Sequence, residues 1–282
     1  MKYKLAIRYR KILGLLKQGN KKLDFIIIGG QKCGTTALFE FLESHPQLFG
    51  PIKKEVNFFN SLDYKLGIDY YHGFFPKART HQYLFEASPS YLMDHNSIAA
   101  ERIYTYYPNI RLIVLLREPV ARAFSAFKMY QKKFRANPQW FKIWKDDRFD
   151  YIARKKEDYE SFNYYIKSEL EALDKGKRIE APVLSPGKYV DGIRTYLKFF
   201  DREQIHFIGN TSLKENTHDE LNLLLNFIGI EEKYIWNFPD GAMIFSGGYN
   251  DEIERKAREQ LTDYYKSSNI ELFNLIGHSL DW

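Results

Sequence analysis

The stretch FIIIGGQKCGTTALFEFL, from Phe25 to Leu42, passes from an apolar run through a glycine-containing loop into a segment with helical spacing. A buried strand, a tight loop and a helix start in that order build a phosphate-binding loop. The usual nucleotide loop, G-x-x-x-x-G-K-[ST], has its lysine directly after the second glycine. Here Gly29 and Gly34 have that separation, but Thr35 follows Gly34 and the lysine, Lys32, stands inside the loop. Glycine lets the backbone approach a ligand closely. The helix start offers unpaired N–H groups and about half a positive charge. Thr35 and Thr36 add hydroxyls, and Lys32 adds a full charge. The plainer reading is a strand-to-helix turn with an exposed lysine. Cys33 reads as a small loop residue rather than a nucleophile, since no His or Asp stands near it in sequence to activate it.

Working outward, three further apolar runs have strand length: QYLFEAS (82–88), IRLIVLLRE (110–118) and QIHFIGN (204–210). Continuous apolar runs suit parallel strands covered on both faces. Helical patterns lie between and after them: TALFEFLESHP, PVARAFSAFKMYQKKF with Pro119 at the first turn, HDELNLLLNFIGI, and NDEIERKAREQLTDYYKSSNIELFNLIG. Alternation of strands and helices predicts an α/β fold, one domain with a central parallel sheet flanked by helices and a P-loop-like core. The expected division is a basic N-terminal segment over 1–22 and the folded domain over 23–282. The polar and aromatic stretch over 131–185 is expected to cover a substrate cleft.

A second anion site is readable in LLREPVARAFSAF. Arg117 ends a strand and Ser125 follows in the next helix, three residues after Arg122 on the same face. Arginine presents a planar fork suited to phosphate, and ligands of open α/β sheets bind beyond the carboxyl ends of strands. The alternative is a surface ion pair between Arg122 and Glu118. No strand ends in a magnesium-binding aspartate, so a nucleotide with phosphates at two places fits better than a triphosphate with Mg²⁺.

The whole chain narrows the classes further. Its 282 residues carry a net charge of +6, a balance that suits an anionic ligand without naming nucleic acid. There is one cysteine, which excludes an intrachain disulfide and makes a reducing, cytoplasmic location the expectation. No apolar run approaches the ~18 residues of a membrane span. The basic start, with Leu5, Ile12, Leu15 and Leu16, fits either a helix packed on the body or a peripheral membrane contact. The histidines and the lone cysteine show no ligand spacing, so no metal is expected.

GGQKCGTTALFEFLESHPQL and LREPVARAFSAF together resemble the 5′-phosphosulfate loop and the 3′-phosphate motif of the sulfotransferases that use 3′-phosphoadenosine 5′-phosphosulfate (PAPS). KKEVNFFN, FEASPSYL, LSPGKYVDGIRTYLKFF and DYYKSSNIELFNLIGHSLDW are similar to the heparan-sulfate branch, both N-sulfotransferase and 3-O-sulfotransferase domains. The resemblance runs from about Leu23 to Trp282. It implies PAPS as the donor and a carbohydrate or glycolipid acceptor, with no metal and no nucleic acid. It implies that Lys32, Cys33, Gly34, Thr35, Thr36, Arg117 and Ser125 hold the nucleotide, and that Glu55 is the general base. On the residues alone, Glu55 can equally pair with Lys53 or Lys54. Lys54, Glu86, Ser88 and Tyr91 are expected at the acceptor, with orienting the base as the other reading of Lys54. Glu86 is also the alternative carboxylate, and burial and pairing within its strand is the equal reading of it. The family's Lys-Gly-Arg loop and nearby cysteine pair are replaced by FSGGYND, where Ser246, Gly247 and Gly248 are expected to offer backbone donors. Ala87 stands where the family often has a lysine, and no counterpart of the animal enzymes' Golgi anchor is expected. A P-loop kinase or NTPase with a displaced lysine is the competing enzyme class, and a non-catalytic anion-binding protein the competing binding class.

Overall fold

The apolar runs become neighbouring parallel strands. Strands β1 (Phe25–Gly29), β2 (Leu48–Phe49), β3 (Tyr83–Ala87), β4 (Arg111–Leu116) and β7 (Ile205–Gly209) form one five-stranded sheet in the order β2-β3-β1-β4-β7. Every pairing in it is parallel. All five residues of β1 are buried, as expected for the central strand of a sheet covered on both faces. Phe25 and Phe85 are cross-strand partners, and their rings stack at 5.0 Å. The computed structural model describes residues 23–75, 82–93, 98–141, 150–231, 233–240 and 253–282. The basic segment over 1–22 and the Ser246-Gly247-Gly248 stretch lie outside them.

The four strands expected from sequence are all present, and the α/β class with a parallel sheet is the one observed. The edge strand β2 was missed because two residues carry no readable period. The helices follow their patterns: α1 (Thr35–Glu43), α4 (Pro119–Ala136), α8 (Thr217–Phe227) and α9 (Arg255–Ile276). Between them lie α2 (Ile68–His72), α3 (Ile98–Tyr106), α5 (Phe162–Asp174), α6 (Tyr189–Tyr196) and α7 (Asn210–Glu215).

The chain separates into two compact units. The first, Met1–Leu116 with Asp191–Phe245 and Leu280–Trp282, holds the five-stranded sheet. From β1 the chain runs to β2 and β3 on one side and then crosses to β4 on the other, so the order reverses at β1. Such a switch point opens a crevice at the carboxyl ends of the strands, where α/β proteins bind ligands. Gly192 needs its missing side chain here, since a Cβ would stand 2.4 Å from the carbonyl oxygen of Leu92.

The second unit, Arg117–Val190 with Ser246–Ser279, has an apolar core built by α4, α5 and α9 around Phe127, Tyr130, Phe162, Tyr165, Leu261 and Tyr265. A short parallel pair, β5 (Tyr151–Ile152) and β6 (Arg178–Ile179), lies within it. Described residues of the stretch over 131–185, Trp140, Tyr159, Phe162 and Tyr165 among them, contribute to this core. Phe162 and Tyr165 stand three apart on α5 and face inward, while Tyr164 between them is exposed, a distinction that composition averages away.

Candidate functional site

The candidate phosphate loop leaves β1 at Gly29. A Cβ there would meet the Leu92 side chain at 2.5 Å, so the loop start lies hard against the turn after β3. The Gly30 amide donates to the Leu115 carbonyl at 2.6 Å, which ties the loop to β4. Lys32 has φ 66 and Gly34 φ 105, so the loop turns through left-handed backbone at two places. Gly34 is the N-cap of α1; it brings no side chain to cap the helix, and the first turn carries no acidic residue. Amides at such an N-terminus carry the positive end of the helix dipole, an arrangement that can receive an anion. Lys32 and Gly34 are half-buried, Thr36 is exposed, and Thr35 and Cys33 are buried. Asn210, at the start of α7, donates from Nδ2 to the Cys33 carbonyl at 2.7 Å. Sequence reading missed this brace, although its place at the end of the 204–210 run was a signal.

Lys54 Nζ donates to Thr36 Oγ1 at 3.0 Å and lies 5.7 Å from the centre of the Phe39 ring. Burial lowers its pKa, with the charges of Glu55 and Glu40 pulling the other way. The segment carrying Glu55 is thereby joined to the first turn of the phosphate-loop helix. Glu55 itself is exposed. Two residues on, Asn57 has φ 55, a conformation uncommon outside glycine but tolerated by Asn.

The remaining candidates of the first unit gather at the end of β3. Glu86, Ser88 and Tyr91 are each 0% exposed. Glu86 accepts from Tyr71 Oη at 2.5 Å, Ser88 Oγ at 2.5 Å and Tyr91 Oη at 2.9 Å. Burial raises the Glu86 carboxyl pKa, and the three hydroxyl donors hold it down in part. Burial and the adjacent carboxylate push the Tyr71 and Tyr91 phenols well up. These side chains point into one another rather than to solvent.

In the second unit, Arg117 is half-buried and its carbonyl accepts from Tyr189 Oη at 2.7 Å; Ser125 is also half-buried. Glu118 caps α4, accepting from the Val120 and Ala121 amides at 2.8 and 2.7 Å. Arg122 is fully buried and donates to the Val183 carbonyl, which differs from a surface pair with Glu118. Glu169 is buried, is paired with Arg154 at 3.2 Å, and accepts the amides of Val183, Leu184 and Ser185. That hub fixes the backbone over 183–185, and nothing in the sequence spacing marked it. Among the described residues, no three His, Cys, Asp or Glu side chains gather as a metal-ligand set.

The family model described as "Sulfotransferase domain" matches residues 22–267. The human bifunctional heparan sulfate N-deacetylase/N-sulfotransferase 3 is 29% identical over 95% of this chain and 31% of its own length. The chain thus spans about a third of the curated relatives of that kind. The Dictyostelium discoideum membrane-associated sulfotransferase kil1 is 26% identical, covering 92% of the chain and 66% of that protein. The crystal structure of a sulfotransferase from Alicyclobacillus acidocaldarius superposes with a TM-score of 0.69 at 26% identity, covering 92% of this chain and 98% of that one.

The expected cytoplasmic location is corrected by these relatives, one of which is described as membrane-associated. A single cysteine constrains disulfides, and the want of an apolar run constrains spanning helices. Neither argument bears on association by other means. Among the described residues, no helix is long and apolar enough to cross a membrane.

Proposed function

The chain belongs to the sulfotransferase family, and from that premise we propose that it moves a sulfuryl group from PAPS to a hydroxyl or amine of a carbohydrate-type acceptor, with Glu55 as general base and Lys32 stabilising the leaving phosphate. The observation that carries this reading is the hydrogen bond from Lys54 to Thr36. It joins the segment bearing Glu55 to the anion cradle, so a base and a charged donor loop belong to one construction.

The donor set fits an anionic nucleotide: Gly34 caps α1 without a side chain, and no acid stands in the first turn. Lys32, Cys33, Gly34, Thr35 and Thr36 would hold the 5′ end. Arg117 and Ser125, with backbone groups of Ser246, Gly247 and Gly248, would hold the remaining phosphate. When bound, PAPS supplies the sulfuryl group, and its nucleotide departs with negative charge on an oxygen. Lys32 and the loop amides hold fixed positive charge where that charge develops, and one such donor is worth ~10²–10³ in rate. Glu55 takes the proton that the acceptor loses, worth typically ~10²–10⁴. Lys54 neutralises part of the local charge beside it. The names of the heparan sulfate relatives support a carbohydrate acceptor.

Thermal unfolding with adenosine 3′,5′-bisphosphate in metal-free buffer tests the donor assignment. At ~100 times its dissociation constant the ligand adds about 2.7 kcal/mol of stability. A shift with ATP·Mg²⁺ and none with the bisphosphate at millimolar concentration overturns it.

A further inference from the structure

Glu86 lies at the end of a chain of contacts that leads to the segment of Glu55. Ser88 Oγ donates to Glu86 and accepts the Asn57 amide at 3.0 Å. Tyr91 Oη donates to Glu86 and accepts the Phe59 amide at 3.3 Å. Ser90 Oγ donates to Asn57 Oδ1 at 2.6 Å, and Asn60 donates to Ser90 at 2.9 Å. The left-handed Asn57 is thus held by its amide and its side chain, two residues after Glu55. Strained backbone of this kind persists only where its surroundings over-determine it, and it concentrates at functional sites.

The same turn is registered against the phosphate loop. The Ser88 amide donates to the Ile27 carbonyl at 3.1 Å and the Leu92 amide to the Ile28 carbonyl at 2.9 Å, on the two residues before Gly29. One short turn, Ser88 to Leu92, therefore holds the segment of Glu55 on one side and the start of the anion cradle on the other. A hydroxyl can donate one hydrogen bond and still accept. A carboxylate at the centre makes both Ser88 and Tyr91 donate inward, which leaves their lone pairs for the Asn57 and Phe59 amides. Glutamate at position 86 thus orients both hydroxyls at once.

We propose that Glu86 is a positioning residue for Glu55, acting through Ser88 and Tyr91 to set the 55–59 segment relative to the phosphate loop. This rests on the reading of Glu55 as the base. It takes Ser88 and Tyr91 out of contact with the acceptor and gives them a part in orienting the base. Tyr71 supplies the internal control, since its hydroxyl donates to the same carboxylate from α2.

The test compares S88A, Y91F and Y71F, with S88A also made in an E55Q background. Single-turnover transfer and the thermal shift with adenosine 3′,5′-bisphosphate are measured for each. A small misplacement of a reacting group can cost as much as ~10²-fold. We expect S88A and Y91F each to lower turnover about 10-fold with the nucleotide shift intact. Y71F stays within about 2-fold of the parent while losing comparable thermal stability, because it removes a partner of Glu86 but no brace of the base segment. In the E55Q background S88A adds no further loss, as residues acting through one group are not additive. Parallel loss in Y71F, or a full additional loss from S88A on E55Q, makes the network merely structural and overturns the proposal while Glu55 stands as base. Parental turnover in E55Q removes the base reading itself. The link is cut at two different hydroxyls, so if one variant does not fold the other remains the test.

Discussion

Lys54 Nζ donates to Thr36 Oγ1 at 3.0 Å, so the neighbour of the candidate base is hydrogen-bonded to the first turn of the phosphate-loop helix. A hydrogen bond to a charged group is worth ~1.5–3 kcal/mol, and this one is discounted because its Thr36 end is exposed although Lys54 is half-buried. Lys54→Met is expected to lower kcat/KM about 10-fold, which corresponds to about 1.4 kcal/mol. Steady-state kinetics checks this, and an unchanged kcat/KM would separate Lys54 from the reaction.

Asn210 braces the cradle from the other side by donating to the Cys33 carbonyl. Removing a buried partner leaves the other group unsatisfied, at a cost of ~1–3 kcal/mol. Asn210→Ala should lower the urea midpoint accordingly and weaken binding of adenosine 3′,5′-bisphosphate. A variant that loses stability but binds the bisphosphate as tightly as the parent shows that the brace does not shape the cradle.

Glu169 carries the corresponding load in the second unit. It is paired with Arg154 and takes three consecutive backbone amides, from Val183 to Ser185. Truncating one partner of a buried pair costs ~3–5 kcal/mol because a charge is left uncompensated. Glu169→Ala is expected to lose that much in denaturant unfolding and to expose the Val183 and Leu184 amides to hydrogen exchange. A loss under about 1 kcal/mol would show that the hub is not needed.

Stability in mild acid has an identifiable source. Burial lowers the pKa of both His45 and His72 in the folded chain, and His72 is hydrogen-bonded to Tyr107 at 2.7 Å. The unfolded chain, with imidazoles near ~6.5, therefore binds more protons. Their contribution is present above that value and is lost as pH falls through the folded values. Melting temperature should drop from pH 7.5 toward pH 5.5, and the H45N/H72N double variant should show a flatter profile. A double variant with the parental slope would place the proton uptake elsewhere.

Much of this was legible in the sequence where a residue's role is local. The four long strands, the helix beginning at Pro119 and the loop from Gly29 to Thr36 are all fixed by neighbours a few residues away. What escaped depends on pairs distant along the chain. Asn210 reaches the Cys33 carbonyl, and Glu169 reaches the amides of Val183, Leu184 and Ser185. Ser88 and Tyr91 were expected to line an acceptor cleft, and Glu86 was open between a second carboxylate there and a buried, paired strand residue. The folded chain turns them inward, since their partners come from α2 and from the Asn57–Phe59 segment. Arg122 followed the same course, its helical face being covered by the Val183 carbonyl.

The most direct measurement on the central claim is transfer by Glu55→Gln. The exposed carboxylate becomes an amide of equal size that cannot accept a proton. Adenosine 3′,5′-bisphosphate should still raise the melting temperature as in the parent, while single-turnover sulfuryl transfer from PAPS falls by ~10²–10⁴. Transfer at the parental rate with binding intact would contradict the account.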